Sequence, residues 1–201
     1  MPGEIVDFTS PPAPPGSDPW VDGAVPETGI SLASYDDGWP GDFERLAARI
    51  RTALGWRALQ VEHVGSTSVV GLPAKAIIDV DLIVADPAAE GAYLPALVGA
   101  GFVLRVREPW AWEHRMLRHE APRCNLHVFG PAAPEPVRHR LFRDWLRGNP
   151  DDLALYRDAK VEAAEAANAA GEHTMQYNAR KQAVIREIYD RAFRAAGLLD
   201  A

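Results

Sequence analysis

Two aspartates two residues apart, Asp79 and Asp81, interrupt an otherwise apolar, β-branched run, AKAIIDVDLIVA. In a strand, positions i and i+2 share a face, so both carboxylates project from one side while Ile78, Val80, Leu82 and Val84 form the other. Like charges this close repel, and beside a core the repulsion is poorly screened. A divalent cation resolves the conflict, and Mg²⁺ prefers carboxylate oxygens together with substrate phosphates. A solvated sheet face, or neutralisation by Arg or Lys, is the alternative. Just upstream, His63-Val64-Gly65-Ser66-Thr67-Ser68 reads as a turn. Its glycine permits close backbone approach and its three hydroxyls stand beside free N–H groups, the makings of a phosphate cradle. Such turns also serve simply as helix caps. Adjacent strand ends place this turn and the two acids at one end of a sheet.

Further cations lie within reach of that end. Lys75 precedes the diacid strand and can meet a phosphate or Asp79, or remain a surface lysine. Tyr156 and Lys160, and again Tyr177 and Lys181, are spaced i, i+4 and so share a helix face. A lysine on an inward stripe needs an anion or must snorkel outward. The two pairs suggest a helical wall facing a phosphate pocket. Arg143, beside Asp144, is either an internal ion pair or an anion contact. Trp110, Trp112 and Trp145 offer stacking surfaces, although packing is the default for tryptophan. Arg138-His139-Arg140 reads as a solvated helix face, and His63 either as a hydrogen-bonded structural residue or as a partner of His127 at one sheet edge.

The elements that must position these residues follow from periodicity. GISLASY is expected as a short strand, and Asp42 as the cap of a helix running to about Leu54. ALQVEHV and AKAIIDVDLIVA are expected strands. A helix should start at Asp86-Pro87 and stop at Gly101. FVLRVR, WEHRMLR and CNLHVF follow as strands, then PEPVRHRLFRDWLR as a helix, and two helices over roughly 151–170 and 173–196. This order describes a mixed α+β sheet with a C-terminal helical subdomain. Residues 1–28, with TSPPAPPGSDP, read as a disordered or extended arm.

At 201 residues, 47% hydrophobic and 24% charged, the chain suits one globular domain. Its single cysteine, Cys124, excludes an internal disulfide framework and reads as an inert buried thiol. The net charge of −7 argues against an extended nucleic-acid surface, which must neutralise many phosphates. No apolar run is long enough to cross a bilayer and the start lacks secretory-signal character, so no membrane partner and a cytoplasmic location are expected. Oligomeric state is not readable.

Gly-Ser followed by hydrophobic-Asp-hydrophobic-Asp-hydrophobic resembles the signature of the nucleotidyltransferase superfamily with the polymerase-β-like fold. The fuller string HVGSTSVVGLPAKAIIDVDLIV is similar to the GrpB family within it, and the likeness extends through YDDGW, the LHV strand, LFRDWLR and the Tyr156–Lys160 and Tyr177–Lys181 helices. It covers about residues 30–195. The resemblance implies a nucleotidyltransferase-like core over 29–130 and a helical subdomain over 131–198. It also implies a triphosphate held by Gly65 and Ser66, assisted by Thr67 and Ser68, and Mg²⁺ held by Asp79 and Asp81. Val70 and Ala76 stand where the family tends to have proline. The third carboxylate of such sites has no counterpart: the strand expected to carry it reads Cys124-Asn125-Leu126-His127-Val128, which leaves His127 as base or ligand. The expected activity is Mg²⁺-dependent nucleotidyl transfer to a small molecule or protein. The alternatives are a non-catalytic module binding a nucleotide or other phosphorylated metabolite, and a phosphohydrolase in which His63 and His127 share a metal with the aspartates.

Overall fold

The computed structural model describes residues 2–9 and 12–200. Helix α1 spans Pro2–Val6 and α2 Trp39–Leu54; strands β1 (Gln60–Val64) and β2 (Ile78–Ile83) follow. Next come α3 (Leu94–Gly99), β3 (Val103–Glu108), β4 (His114–Glu120) and β5 (Arg123–Phe129). Helices α4 (Glu135–Gly148), α5 (Pro150–Ala169), α6 (Thr174–Arg180) and α7 (Gln182–Ala195) close the described chain. The result is an α+β fold with a five-stranded mixed sheet, ordered β1-β2-β5-β4-β3, and a C-terminal helical region. The β2–β5 pair is parallel and the other three pairs are antiparallel.

Strand alternation divides the sheet into two chemically different faces. Val80 and Leu82 pair in register with Leu126 and Val128, and these residues pack with Leu46, Ile50 and Leu54 of α2 and with Leu97 of α3. All are essentially inaccessible to water, and each such side chain contributes roughly 1.5–3 kcal/mol on burial. On the other face Asp79 stands beside Asn125 and Asp81 beside His127. A polar face of this kind cannot join the apolar core, and it lies toward the C-terminal helices. Those helices have their own core, in which Val69, Leu72, Leu146, Tyr156 and Ile188 meet.

Several local expectations shift. GISLASY forms only an isolated bridge, Ala33 to Ala74. Helix α2 begins at Trp39, with Pro40 favouring the start, so Asp42 lies in the first turn and is not the cap. After Asp86-Pro87 the chain makes a 3₁₀ turn over Glu90–Ala92, and α3 waits until Leu94-Pro95. The last expected helix divides at Lys181, whose amide donates to Asn178 O in a tight i−3 bond. Within the stretch read as a disordered or extended arm, α1 is docked by Arg138, which donates to the carbonyls of Glu4, Ile5 and Asp7. Phe8 packs against Tyr189 in a tilted arrangement with ring centroids 4.9 Å apart. Farther along, Trp20 bridges to Val106 on the outer edge of β3. These partners lie far away in sequence, so no local pattern announces them. No helix among the described residues is long and apolar enough to cross a membrane.

Candidate functional site

A cavity of about 400 Å³ opens between the polar sheet face and helices α4–α7. The end of β1 supplies Gly65 and Ser66, β2 supplies Asp79, and β5 supplies Asn125 and His127. Opposite them stand Tyr156 and Lys160 of α5, Tyr177 of α6, and Lys181 at the α6–α7 joint; Lys75 borders the same space. Thus Gly65, Ser66, Lys75, Asp79, His127, Tyr156, Lys160, Tyr177 and Lys181 come together at one cavity, as their spacing suggested. They do so because Tyr156, Lys160, Ala163, Ala164 and Ala167 form one buried stripe of α5 facing inward.

Asp79 Oδ1 accepts from Asn125 Nδ2 at 3.0 Å, and His127 Nε2 stands 3.9 Å from it. Burial alone would raise this carboxyl's pKa; His127, Asn125 and Lys75 outweigh it and hold it below the usual range. Asp81 is only 1% exposed and takes no direct part in the cavity lining. Its Oδ2 pairs with His139 Nδ1 at 2.8 Å, and His139 faces the cavity. Burial disfavours the imidazolium of His139, but Asp81's charge and hydrogen bond prevail and raise its pKa. The immediate partners of the two acids are thus Asn125, with His127 farther off, for Asp79 and His139 for Asp81, and not Arg or Lys. His127 is itself oriented: its Nδ1 meets His114 Nε2 at 3.0 Å, and His114 Nδ1 meets Glu108 Oε2 at 2.7 Å.

Lys160 donates to Ser66 Oγ at 2.5 Å and is 3% exposed. Burial, then the charge of Lys181, lowers its pKa to about 7. Lys181, 6% exposed, is lowered by burial and by Lys75 to about 8. Two buried polar atoms on the cavity wall, the Tyr177 hydroxyl and Asn125 Oδ1, lack any hydrogen-bond partner. Buried groups are almost always satisfied; here the Tyr177 hydroxyl can donate and Asn125 Oδ1 can only accept, so the wall offers both kinds of contact to a polar ligand. Asp79 and Asp81 are the carboxylates able to hold a hard cation, and Asp81 Oδ1, also buried and unpartnered, is the atom that cation would satisfy. No group of three or more His, Cys, Asp or Glu among the described residues forms a metal cluster. Phosphate oxygens and water would complete the shell, as is usual for Mg²⁺.

Other expectations are corrected. His63 pairs with Val80, so its side chain lies on the α2 side of the sheet, away from the acids. Its ring stacks on Phe43 at 4.8 Å and its Nε2 meets Thr67 Oγ1 at 3.0 Å. His63 and His127 therefore cannot share a metal, which removes the phosphohydrolase reading. Thr67 is consumed by that bond, and Ser68 Oγ caps its own turn by donating to Gly65 O at 2.6 Å. Arg143 is an internal ion pair after all: it binds Asp144 and Glu62 and donates to His63 O. It lines a smaller, mostly apolar pocket of about 180 Å³ adjoining the cavity at Ser66, His139 and Tyr156. The cluster read as a solvated helix face is buried at Arg138 and engaged with Asp81 at His139. Trp110, Trp112 and Trp145 lie outside the cavity wall, and Trp145 donates to Asp152 at 2.6 Å.

The buried, neutral His63 makes a testable contribution to stability. Burial pushes its pKa from 6.5 down to about 4. Between those values the unfolded chain takes up a proton that the folded chain refuses, so stability is lost as pH falls from about 6.5 to about 4. The loss reaches roughly 3 kcal/mol at the acid end of that window. Urea unfolding across this window should show the steeper loss in wild type than in His63→Gln; parallel curves would refute it.

Comparison with known proteins places the architecture. A family model described as GrpB protein matches residues 29–191. The UPF0157 protein BH1888 of Halalkalibacterium halodurans is 46% identical over 163 residues, covering 81% of this chain and 82% of that one. A dephospho-CoA kinase of Mycolicibacterium paratuberculosis is 30% identical over 190 residues, covering 82% of this chain but 46% of its own, so some homologues carry this unit fused to a kinase. The crystal structure of the conserved protein GrpB from Enterococcus faecalis superposes with a TM-score of 0.71 at 28% identity, over 83% of this chain and 99% of that one.

Proposed function

This chain belongs to the GrpB family, and on that premise we propose that it is a Mg²⁺-dependent nucleotidyltransferase of the polymerase-β-like fold, moving a nucleotidyl group from an NTP to a small molecule or protein. The observation that carries the reading is the cavity itself. Three lysines, Lys75, Lys160 and Lys181, converge on a Gly-Ser turn beside the Asp79 carboxylate. Lysines that form no ion pair with a carboxylate among the described residues suit a phosphate chain, and paired acids suit the cation that accompanies it. Bound Mg²⁺ would neutralise and orient the phosphates, with Asp79 and Asp81 as its protein ligands. Ser66 and the turn hold the phosphate chain, and the lysines counter charge that builds on the departing pyrophosphate. His127, oriented by His114 and Glu108, faces the same space and is the side chain placed to take a proton from an incoming hydroxyl. Fusion of relatives to a dephospho-CoA kinase supports a setting of nucleotide chemistry.

The test is a thermal-shift titration against the four NTPs with and without Mg²⁺, coupled to pyrophosphate detection. Binding to the folded state raises the melting temperature by mass action. A shift requiring both Mg²⁺ and one NTP, with pyrophosphate release, supports transfer. One observation favours a second reading, a binding module for a nucleotide or phosphorylated metabolite: the β5 positions beside the two aspartates hold Asn125 and His127 and no acid. Saturable binding without pyrophosphate would select that reading.

A further inference from the structure

Lys160 is a buried lysine whose hydrogen bond goes to a hydroxyl and not to a carboxylate. Its Nζ lies 2.5 Å from Ser66 Oγ and 5.2 Å from the centroid of the Tyr156 ring. An ammonium held this way, without a counter-ion, is costly to bury, which favours the neutral amine. The charged groups facing it are Lys181 and Lys75, which lower its pKa, and Asp79, which raises it; with burial the balance falls at about 7. Tyr156 lines the same cavity wall beside Ser66. A serine hydroxyl gripped by a lysine that can be neutral, with a tyrosine alongside, has the parts of an activated nucleophile. Its position matters equally. Gly65, the residue before it, lies so close to Asp79 that a Cβ there would come within 2.3 Å of Asp79 Oδ2. Ser66 thus sits beside the carboxylate assigned to the reacting phosphate, at a site whose neighbouring strand offers no third acid to activate an external hydroxyl.

We propose that Ser66 is itself a nucleotidyl acceptor, with Lys160 as its general base, so that the chain modifies itself in the presence of an NTP. The inference rests on the nucleotidyl-transfer reading and names an acceptor for it. Ser66 Oγ forms a bond to the α-phosphorus while the bond from that phosphorus to the bridging oxygen breaks. Pyrophosphate leaves with the electron pair, and the serine proton passes to Lys160 Nζ. The product is a phosphodiester joining Ser66 to a nucleoside.

The experiment incubates the full chain with Mg²⁺ and each NTP in turn, followed by intact-mass measurement and peptide mapping. The expected result is a gain of one nucleotidyl group (a nucleoside monophosphate less water) at Ser66 with an equal release of pyrophosphate. The rate should rise with pH through about 7, as Lys160 becomes neutral, and flatten above. Ser66→Ala should carry no adduct. Lys160→Arg keeps the positive charge but cannot accept the proton, and should slow labelling at least ~100-fold, its fold being verified by thermal melting. A Mg²⁺-dependent NTP shift with no adduct, or with an adduct elsewhere, overturns the acceptor while leaving the transferase reading intact. Neither shift nor adduct removes both.

Discussion

Asp79→Asn should abolish pyrophosphate release from the preferred NTP, by about 10³-fold or more, while leaving the fold intact. A loss of that size corresponds to about 4 kcal/mol of transition-state stabilisation. It is the scale expected when a charged group acting on a reacting phosphate is removed. The amide is nearly isosteric and keeps an oxygen for Asn125 Nδ2, the donor now bound to Asp79 Oδ1. It cannot supply the negative charge that faces His127 and Lys75. Stability should therefore change by less than about 1 kcal/mol, since the lost attraction to His127 and Lys75 is offset by burying one charge fewer. Melting temperature and pyrophosphate release together separate the two effects. Retained turnover in a stably folded Asp79→Asn protein would end the proposed mechanism.

Gly65→Ala should destabilise the protein by about 3 kcal/mol and erase any NTP-dependent shift. Gly65 has φ 66° and ψ −171°, a conformation essentially restricted to glycine that costs other residues of order 1–3 kcal/mol. The added methyl would also lie 2.3 Å from Asp79 Oδ2 and 2.8 Å from Asp79 Cβ. Rotating the Asp79 side chain would relieve the Oδ2 clash but not the one at Cβ, so the backbone of the turn or of β2 must shift as well, and the strain passes directly to the acid. Gly71 supplies the control, with φ 79° and nothing within 4 Å of a new Cβ. Gly71→Ala should cost about 1 kcal/mol, from conformation alone. Urea unfolding of both variants measures the difference; equal losses would show that the contact with Asp79 carries no energy.

What could be read from sequence divides according to how local its cause is. The diacid strand, the turn before it and the Tyr156–Lys160 stripe are set by periods of two and of about four residues, and the structure keeps them. His63 was half legible. It stands two residues from Val61, a buried apolar residue, and the strand period of two puts both on the core face, opposite the acids. His139 was not legible, because its neighbours Arg138 and Arg140 suggest solvent while its partner Asp81 lies 58 residues away. The same holds for Arg138, which binds carbonyls more than 130 residues upstream. The orienting pair Glu108 and His114 left no signal beyond residue type, since a β3–β4 pairing is needed to bring them together.

The sheet order has a kinetic consequence. Strands β3, β4 and β5 are consecutive and antiparallel, so their pairing closes short loops. The parallel β2–β5 pair instead joins Asp79 to Asn125 across 46 positions of chain, and the two strands that complete it must wait for the intervening meander. Loop closure of that length is the slow, entropically costly part of such a topology. The two aspartates and their β5 neighbours meet only at that closure. A folding intermediate holding the meander alone would have structure but no site, and competence to bind a ligand should arrive in the same step as the final sheet.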